Sequence, residues 1–231
     1  MSRTRRLPLV SLVAAALIGA GCTLPAFAPR TEADGERTTG TASWRPCPEV
    51  PEELVGRGAR NMRYDCATIT VPKDWDASDG DTFDIALIRV RSVKQRDRIG
   101  SLLVNPGGPG GSGIDAAVYL SFGEAFGGLS ERVTERFDIV GFDPRGVARS
   151  SPVKCISDED LDAVFGFEPD PVSQDDFDEL VALNRRIADR CADQYGDDLR
   201  LYSTRQAARD MDAIRAAVGD EKLTYLGYSY G

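Results

Sequence analysis

Gly227-Tyr228-Ser229-Tyr230-Gly231 places a serine between small residues in the pattern G-x-S-x-G. Small flanking residues let a chain turn sharply from strand to helix, leaving the hydroxyl exposed on the turn as a nucleophilic serine requires. The same pattern also occurs in ordinary glycine-flanked turns where the serine bonds nearby backbone. Context favours the chemical reading, because the apolar run Leu223-Thr224-Tyr225-Leu226 directly before it reads as a strand. Ser229 is then a nucleophile for acyl transfer, and the Tyr230 N–H is one donor to the oxyanion formed when a carbonyl is attacked.

A second donor is needed, and in such folds it comes from a glycine-rich loop after an earlier strand. Gly107-Gly108-Pro109-Gly110 has that position, following the apolar Ser101-Leu102-Leu103-Val104 and preceding a helical run from Ile114 to Leu120. Two other chemistries compete for this loop. Gly111-x-Gly113-x-x-Ala116 has the form of a dinucleotide fingerprint, but the ribose-binding acid expected about 20 residues on is missing and Asp143 is too distant. A P-loop is excluded because no lysine follows the glycines.

The count of histidines is zero. These residues therefore supply neither a His-ligated metal site nor an imidazole base, and no metal or cofactor is expected. Zinc is disfavoured further by the lack of any C-x-x-C spacing. The acidic turn Asp74 to Asp81 departs from a calcium loop, with Asp79 where an EF-hand has Gly and Ile85 where it has Glu. The 28 basic residues against 37 acidic ones leave a net charge of −9, which argues against a nucleic-acid partner.

The elements that must hold the serine and the loop alternate between strand and helix. Residues 66–71 and 82–93 read as a hairpin around the Asp74–Asp81 turn. Strands follow at 101–104, 136–143 and 223–226. A helix over 204–218, capped by Thr204 and stopped by Gly219, carries Ala207, Met211, Ile214 and Val218 at helical spacing. Residues 151–201 form an acidic excursion with a helix over 175–195. The alternation implies an α/β fold with a mostly parallel sheet.

Residues 1–28 read as an export signal: Arg3, Arg5 and Arg6 precede an apolar stretch from Leu7 to Ala20 that is too short for a stable membrane span. Cleavage after Ala26-Phe27-Ala28 would secrete the protein. Gly19-Ala20-Gly21-Cys22 resembles a bacterial lipobox, in which Cys22 is lipidated, making membrane contact a matter of that anchor alone. Residues 29–43 read as a flexible tether, so the domain begins near Trp44. Four other cysteines in an exported chain are expected to pair. Of three connectivities, Cys47 with Cys66 and Cys155 with Cys191 is favoured, since each pair brackets one local segment.

Asn105 to Gly110, then Phe137-Asp138-Ile139-Val140-Gly141-Phe142-Asp143-Pro144-Arg145-Gly146, then Leu223 to Gly231 together resemble the exported tripeptidyl aminopeptidases and mycelium-associated proteinases of actinobacteria. These are α/β-hydrolases related to proline iminopeptidases, which carry His where Pro106 stands here. The resemblance runs from about Trp44 to the last residue. It implies Ser229 as nucleophile, Gly108 and Tyr230 as oxyanion donors, the sequential disulfides, and peptide as substrate. It also implies an acid and a histidine after the serine, so the expectation is the amino-terminal half of a longer exported serine hydrolase. A carboxylesterase of the same fold and a non-catalytic surface lipoprotein are the alternatives; the oligomeric state is not legible.

Overall fold

The computed structural model describes residues 40–47, 61–166 and 170–231. The expected export signal, the Cys22 lipidation site and the tether as far as residue 39 lie outside the described residues.

Six strands form one sheet: β1 (Arg45–Pro46), β2 (Met62–Pro72), β3 (Thr82–Ser92), β4 (Gly100–Asn105), β5 (Phe137–Phe142) and β6 (Thr224–Gly227), in the order β1-β2-β3-β5-β4-β6. β4 pairs in parallel with β5 and β6, whereas β1, β2, β3 and β5 pair antiparallel in succession. The parallel part is the part that delivers the serine. The antiparallel part arises because β2 and β3 are joined by the short Asp74–Asp81 turn, which reverses the chain and cannot make a parallel crossover. Asp74 closes that turn by accepting the Asp76 N–H through Oδ1 at 2.9 Å, while Lys73 N–H donates to the Asp81 carbonyl at 2.8 Å.

Among the described residues the α-helices are α1 (Gly113–Leu120), α2 (Glu131–Thr134), α3 (Asp158–Gly166), α4 (Gln174–Tyr195) and α5 (Thr204–Ala217), of which α1, α2 and α5 pack on the sheet. On one face Ala67, Ile69 and Val71 of β2, Ile85 and Leu87 of β3, Leu103 and Val140 meet Ala213, Ile214 and Ala217 of α5. On the other, Ile88, Val90, Leu102, Val104 and Ile139 meet Ile114, Ala117 and Val118 of α1. β3, β4 and β5 thus contribute to both layers, which explains their near-continuous apolar character. Full burial of each such aliphatic side chain stabilises by about 1.5–3 kcal/mol.

Helix ends differ from the sequence reading in one instructive place. Thr204 is the first helical residue of α5 and not its cap; Ser203 occupies the cap position, without a side-chain hydrogen bond. α4 begins at Gln174 behind a capping box, in which Ser173 Oγ accepts the Asp176 N–H and Asp176 accepts the Ser173 N–H, each at 3.1 Å.

Ala42 is buried, and its N–H donates to the Ala217 carbonyl at 3.0 Å. The chain is therefore held against α5 two residues before Trp44. Cys47 is bonded to Cys66 and Cys155 to Cys191, as the local bracketing favours. The second bridge ties α4 back to the segment that follows β5.

Candidate active site

The parallel register of β4 and β6 brings the glycine loop and the serine together. Asn105 at the end of β4 lies opposite Gly227 at the end of β6, and its carbonyl accepts the Tyr228 N–H at 3.1 Å. Beyond that point both chains turn. Ser229 is exposed and adopts φ +53, a left-handed conformation that costs a non-glycine residue energy and clusters at functional turns. Gly231 N–H closes the turn on the Tyr228 carbonyl at 2.8 Å.

Gly107 explains why the loop must be glycine here. Its φ is +81, and a Cβ built on it would lie 2.3 Å from the Tyr228 carbonyl oxygen and 2.6 Å from Tyr230 N. The loop backbone therefore touches the serine turn directly, leaving no room for a side chain. Gly108 follows at φ +115. The Gly108 N–H, the Tyr230 N–H and the Ser229 hydroxyl have no hydrogen-bond partner among the described residues.

Gly113, which opens α1, is glycine for a different reason. A Cβ on Gly113 would meet the Phe142 carbonyl oxygen at 2.1 Å, and one on Gly141 would meet the Gly113 carbonyl oxygen at 2.2 Å. Two glycines thus let helix α1 cross strand β5 at backbone contact, a packing role that accounts for Gly113 without a bound dinucleotide.

Asp143, fully buried just after β5, fixes the far end of the loop. Its Oδ1 accepts the Ser112 hydroxyl at 2.5 Å and the Ile114 N–H at 3.3 Å; Oδ2 accepts the Arg149 N–H at 3.0 Å and its Nη1 at 3.3 Å. Burial tends to lower the Arg149 pKa, but Asp115 and Asp143 outweigh it and raise it above the ordinary arginine value. Arg145, two residues on, turns away from the site and pairs with Asp210. The Asp143–Gly146 turn is thereby a mount holding loop and helix.

Asn105 escaped the sequence reading. Its Oδ1 accepts the Gly107 N–H at 2.9 Å. Burial pushes the phenol of Tyr225 on neighbouring β6 above its ordinary value, with the Asn105 side chain as the smaller, opposing influence. Tyr230 adds a further tie, its hydroxyl lying in hydrogen-bond contact with that of Thr204 at the start of α5. Among the described residues no group of three or more His, Cys, Asp or Glu is placed to hold a metal ion.

A strand that leads into a strained serine turn, packed on a glycine loop that follows its parallel neighbour β4, defines an α/β-hydrolase architecture. Residues 100–231 match the alpha/beta hydrolase fold family, and the chain belongs to it.

Its relatives include Serine protease Hip1 of Mycobacterium tuberculosis, 41% identical over 224 residues, which cover 96% of this chain and 41% of that protein. Tripeptidyl aminopeptidase of Streptomyces coelicolor is 37% identical over 167 residues, 72% of this chain and 30% of the relative. Carboxylesterase B of Mycobacterium tuberculosis is 38% identical over 229 residues, 92% of this chain and 41% of the relative. The chain thus spans about two fifths or less of the length of these relatives.

Proposed function

We propose that this chain carries the nucleophile and the oxyanion donors of an exported serine peptidase that releases short peptides, of tripeptidyl type, from amino termini. The observation that carries the proposal is Ser229 at φ +53 with Gly107 in backbone contact with its turn. Ser229 Oγ attacks the carbonyl carbon of the scissile bond, its proton passing to a base, and the new oxyanion is held by the Gly108 and Tyr230 N–H groups. The acyl-enzyme forms as the amine leaves, and water then releases the acid. These 231 residues contain no histidine, so in this reading the base and its acidic partner come from chain beyond them. Peptide is favoured over ester as substrate by two of the relatives named above, a serine protease and a tripeptidyl aminopeptidase.

The similarity to Carboxylesterase B supports a second reading, ester hydrolysis by the same machinery. Export, with Cys22 as lipid anchor or cleavage after Ala28, rests on the amino-terminal sequence and is supported by the two disulfides, which suit an oxidising compartment.

The test is fluorophosphonate labelling of the full-length protein and of Ser229→Ala. Labelling of the parent alone is expected, and equal labelling of both would sink the assignment. Turnover of tripeptidyl amides against short acyl esters then separates peptidase from esterase.

A further inference from the structure

We infer that Asn105 is a positioning residue for the oxyanion site, resting on the serine-hydrolase reading above. It bonds to both halves of that site. Its backbone carbonyl takes the Tyr228 N–H at the entrance to the serine turn, and its Oδ1 takes the Gly107 N–H at the entrance to the glycine loop. The peptide after Gly107 carries the Gly108 N–H, and Gly107 itself touches Tyr230 N. The placement of the Gly108 peptide relative to the serine turn is therefore set across the Asn105–Gly107–Tyr230 contact.

The side-chain bond decides whether the loop stays there. Gly107 and Gly108 both lie at positive φ, and glycines have many other conformations open to them. A chain of this kind keeps one geometry only where something pins it. Pinning by Asn105 Oδ1 acts two residues from its own backbone tie to β6, so the tolerance is small. The strand that β4 meets at Asn105 is β6, the one that leads into the serine turn. Asn105 touches no reacting atom. Its effect is expected on transition-state stabilisation and not on substrate binding, because oxyanion donors act on charge that develops only in the transition state.

The experiment compares Asn105→Leu, Asn105→Asp and Ser229→Ala in the full-length protein, reading kcat, KM and the rate of fluorophosphonate labelling. Asn105→Leu removes the acceptor. Its kcat is expected to fall about 10- to 100-fold, less than the 10²–10³ for outright loss of a donor, with KM within about twofold. The labelling rate should fall in parallel, since the phosphonyl oxygen occupies the same site. Asn105→Asp keeps an acceptor for Gly107 N–H and is expected to recover most of the rate. If Asn105→Leu yields no folded protein, Asn105→Ala, which has no side-chain acceptor, carries the same expectation. A kcat for the acceptor-lacking variant within about twofold of the parent overturns the inference, as does equal impairment of Asn105→Asp. Full turnover by Ser229→Ala would instead overturn the serine-hydrolase reading itself, so the two failures are distinguishable.

Discussion

Arg145 and Asp210 form a two-pronged ion pair in the interior: Nε meets Oδ2 at 2.7 Å and Nη2 meets Oδ1 at 2.6 Å, with both side chains 1% exposed. The remaining capacity is used as well. Arg145 donates to the carbonyls of Pro72, Lys73 and Leu201, and Trp75 Nε1 donates to Asp210 at 2.8 Å. Burial pushes the Asp210 carboxyl up, against the pull of Arg145 and Trp75. Three segments distant in sequence are joined here: the β2–β3 turn, the turn after β5 and helix α5, which leads into the serine strand.

Such a pair is weak evidence for net stability but costly to break. Asp210→Ala, which leaves the guanidinium buried and unpaired, is expected to destabilise by about 3–5 kcal/mol. Replacing both members by Met strands no charge and should cost less, although the Pro72, Lys73 and Leu201 carbonyls and Trp75 Nε1 then lose their partners. Urea unfolding of the two variants checks this. Equal destabilisation by the single and double changes would show that packing, and not an orphaned charge, is what matters there.

Gly107→Ala is expected to disable the serine turn more than the fold. The added Cβ would overlap the Tyr228 carbonyl and Tyr230 N, both of them backbone, and φ +81 disfavours any side chain. Something must shift, and the parts that can shift are the exposed loop and turn. Loss of fluorophosphonate labelling by at least about tenfold, with circular dichroism close to that of the parent, is the expected result. Unimpaired labelling would mean that loop and turn do not need this contact.

Much of the scaffold was legible before any coordinates. β4 and β5 announced themselves as apolar runs ending in turn residues, and the G-x-S-x-G stretch drew meaning from the strand before it. The sequential disulfides followed from locality. What was not legible was polar and buried: Asp143, Arg145, Gln206 and Asp210 are under 5% exposed, whereas residue type alone puts them in solvent. Gln206 and Asp210 sit on the inner face of α5, where the helical pattern was read from Ala207, Met211, Ile214 and Val218, of which Ile214 is buried and the others partly so. Their burial depends on Trp75 and Arg145 arriving from elsewhere in the chain. The role of Asn105 was hidden in the same way, since its backbone tie to Tyr228 exists only once β6 has been laid beside β4.

Acid should weaken the excursion between β5 and α5 through Asp160. The Ser157 hydroxyl, and then Arg186 and Arg190 against the opposing effect of burial, hold its carboxyl below the ordinary aspartate value. A depressed folded value means that the stabilisation is fully present above the unfolded value, about pH 3.9, and is lost as pH falls through the folded one. The difference in unfolding free energy between the parent and Asp160→Asn is therefore expected to be constant above about pH 5 and to shrink below about pH 4. A difference that stays constant down to pH 2 would assign the loss to hydrogen-bond geometry and not to charge.

Reduction of Cys155–Cys191 is expected to loosen the same region without undoing the sheet. The bridge closes a 36-residue separation, worth about 3–4 kcal/mol in the chain-entropy model. It carries more of the local burden than its size suggests, because α4 presents a mostly exposed surface, with Leu183 its buried residue. α3 contributes only Asp160 to the interior, while Leu161, Val164 and Phe165 are exposed. Few apolar contacts therefore compete with the chain entropy released when the bridge opens. β2, β3, β4 and β5, by contrast, are locked in the two apolar layers on either side of the sheet. Limited proteolysis of a Cys155→Ser, Cys191→Ser double variant should give first cuts within residues 155–195, while amide exchange in β4 and β5 stays slow. If exchange in β4 and β5 accelerates as much as in α4, the excursion and the sheet unfold as one unit and the bridge supports the whole domain.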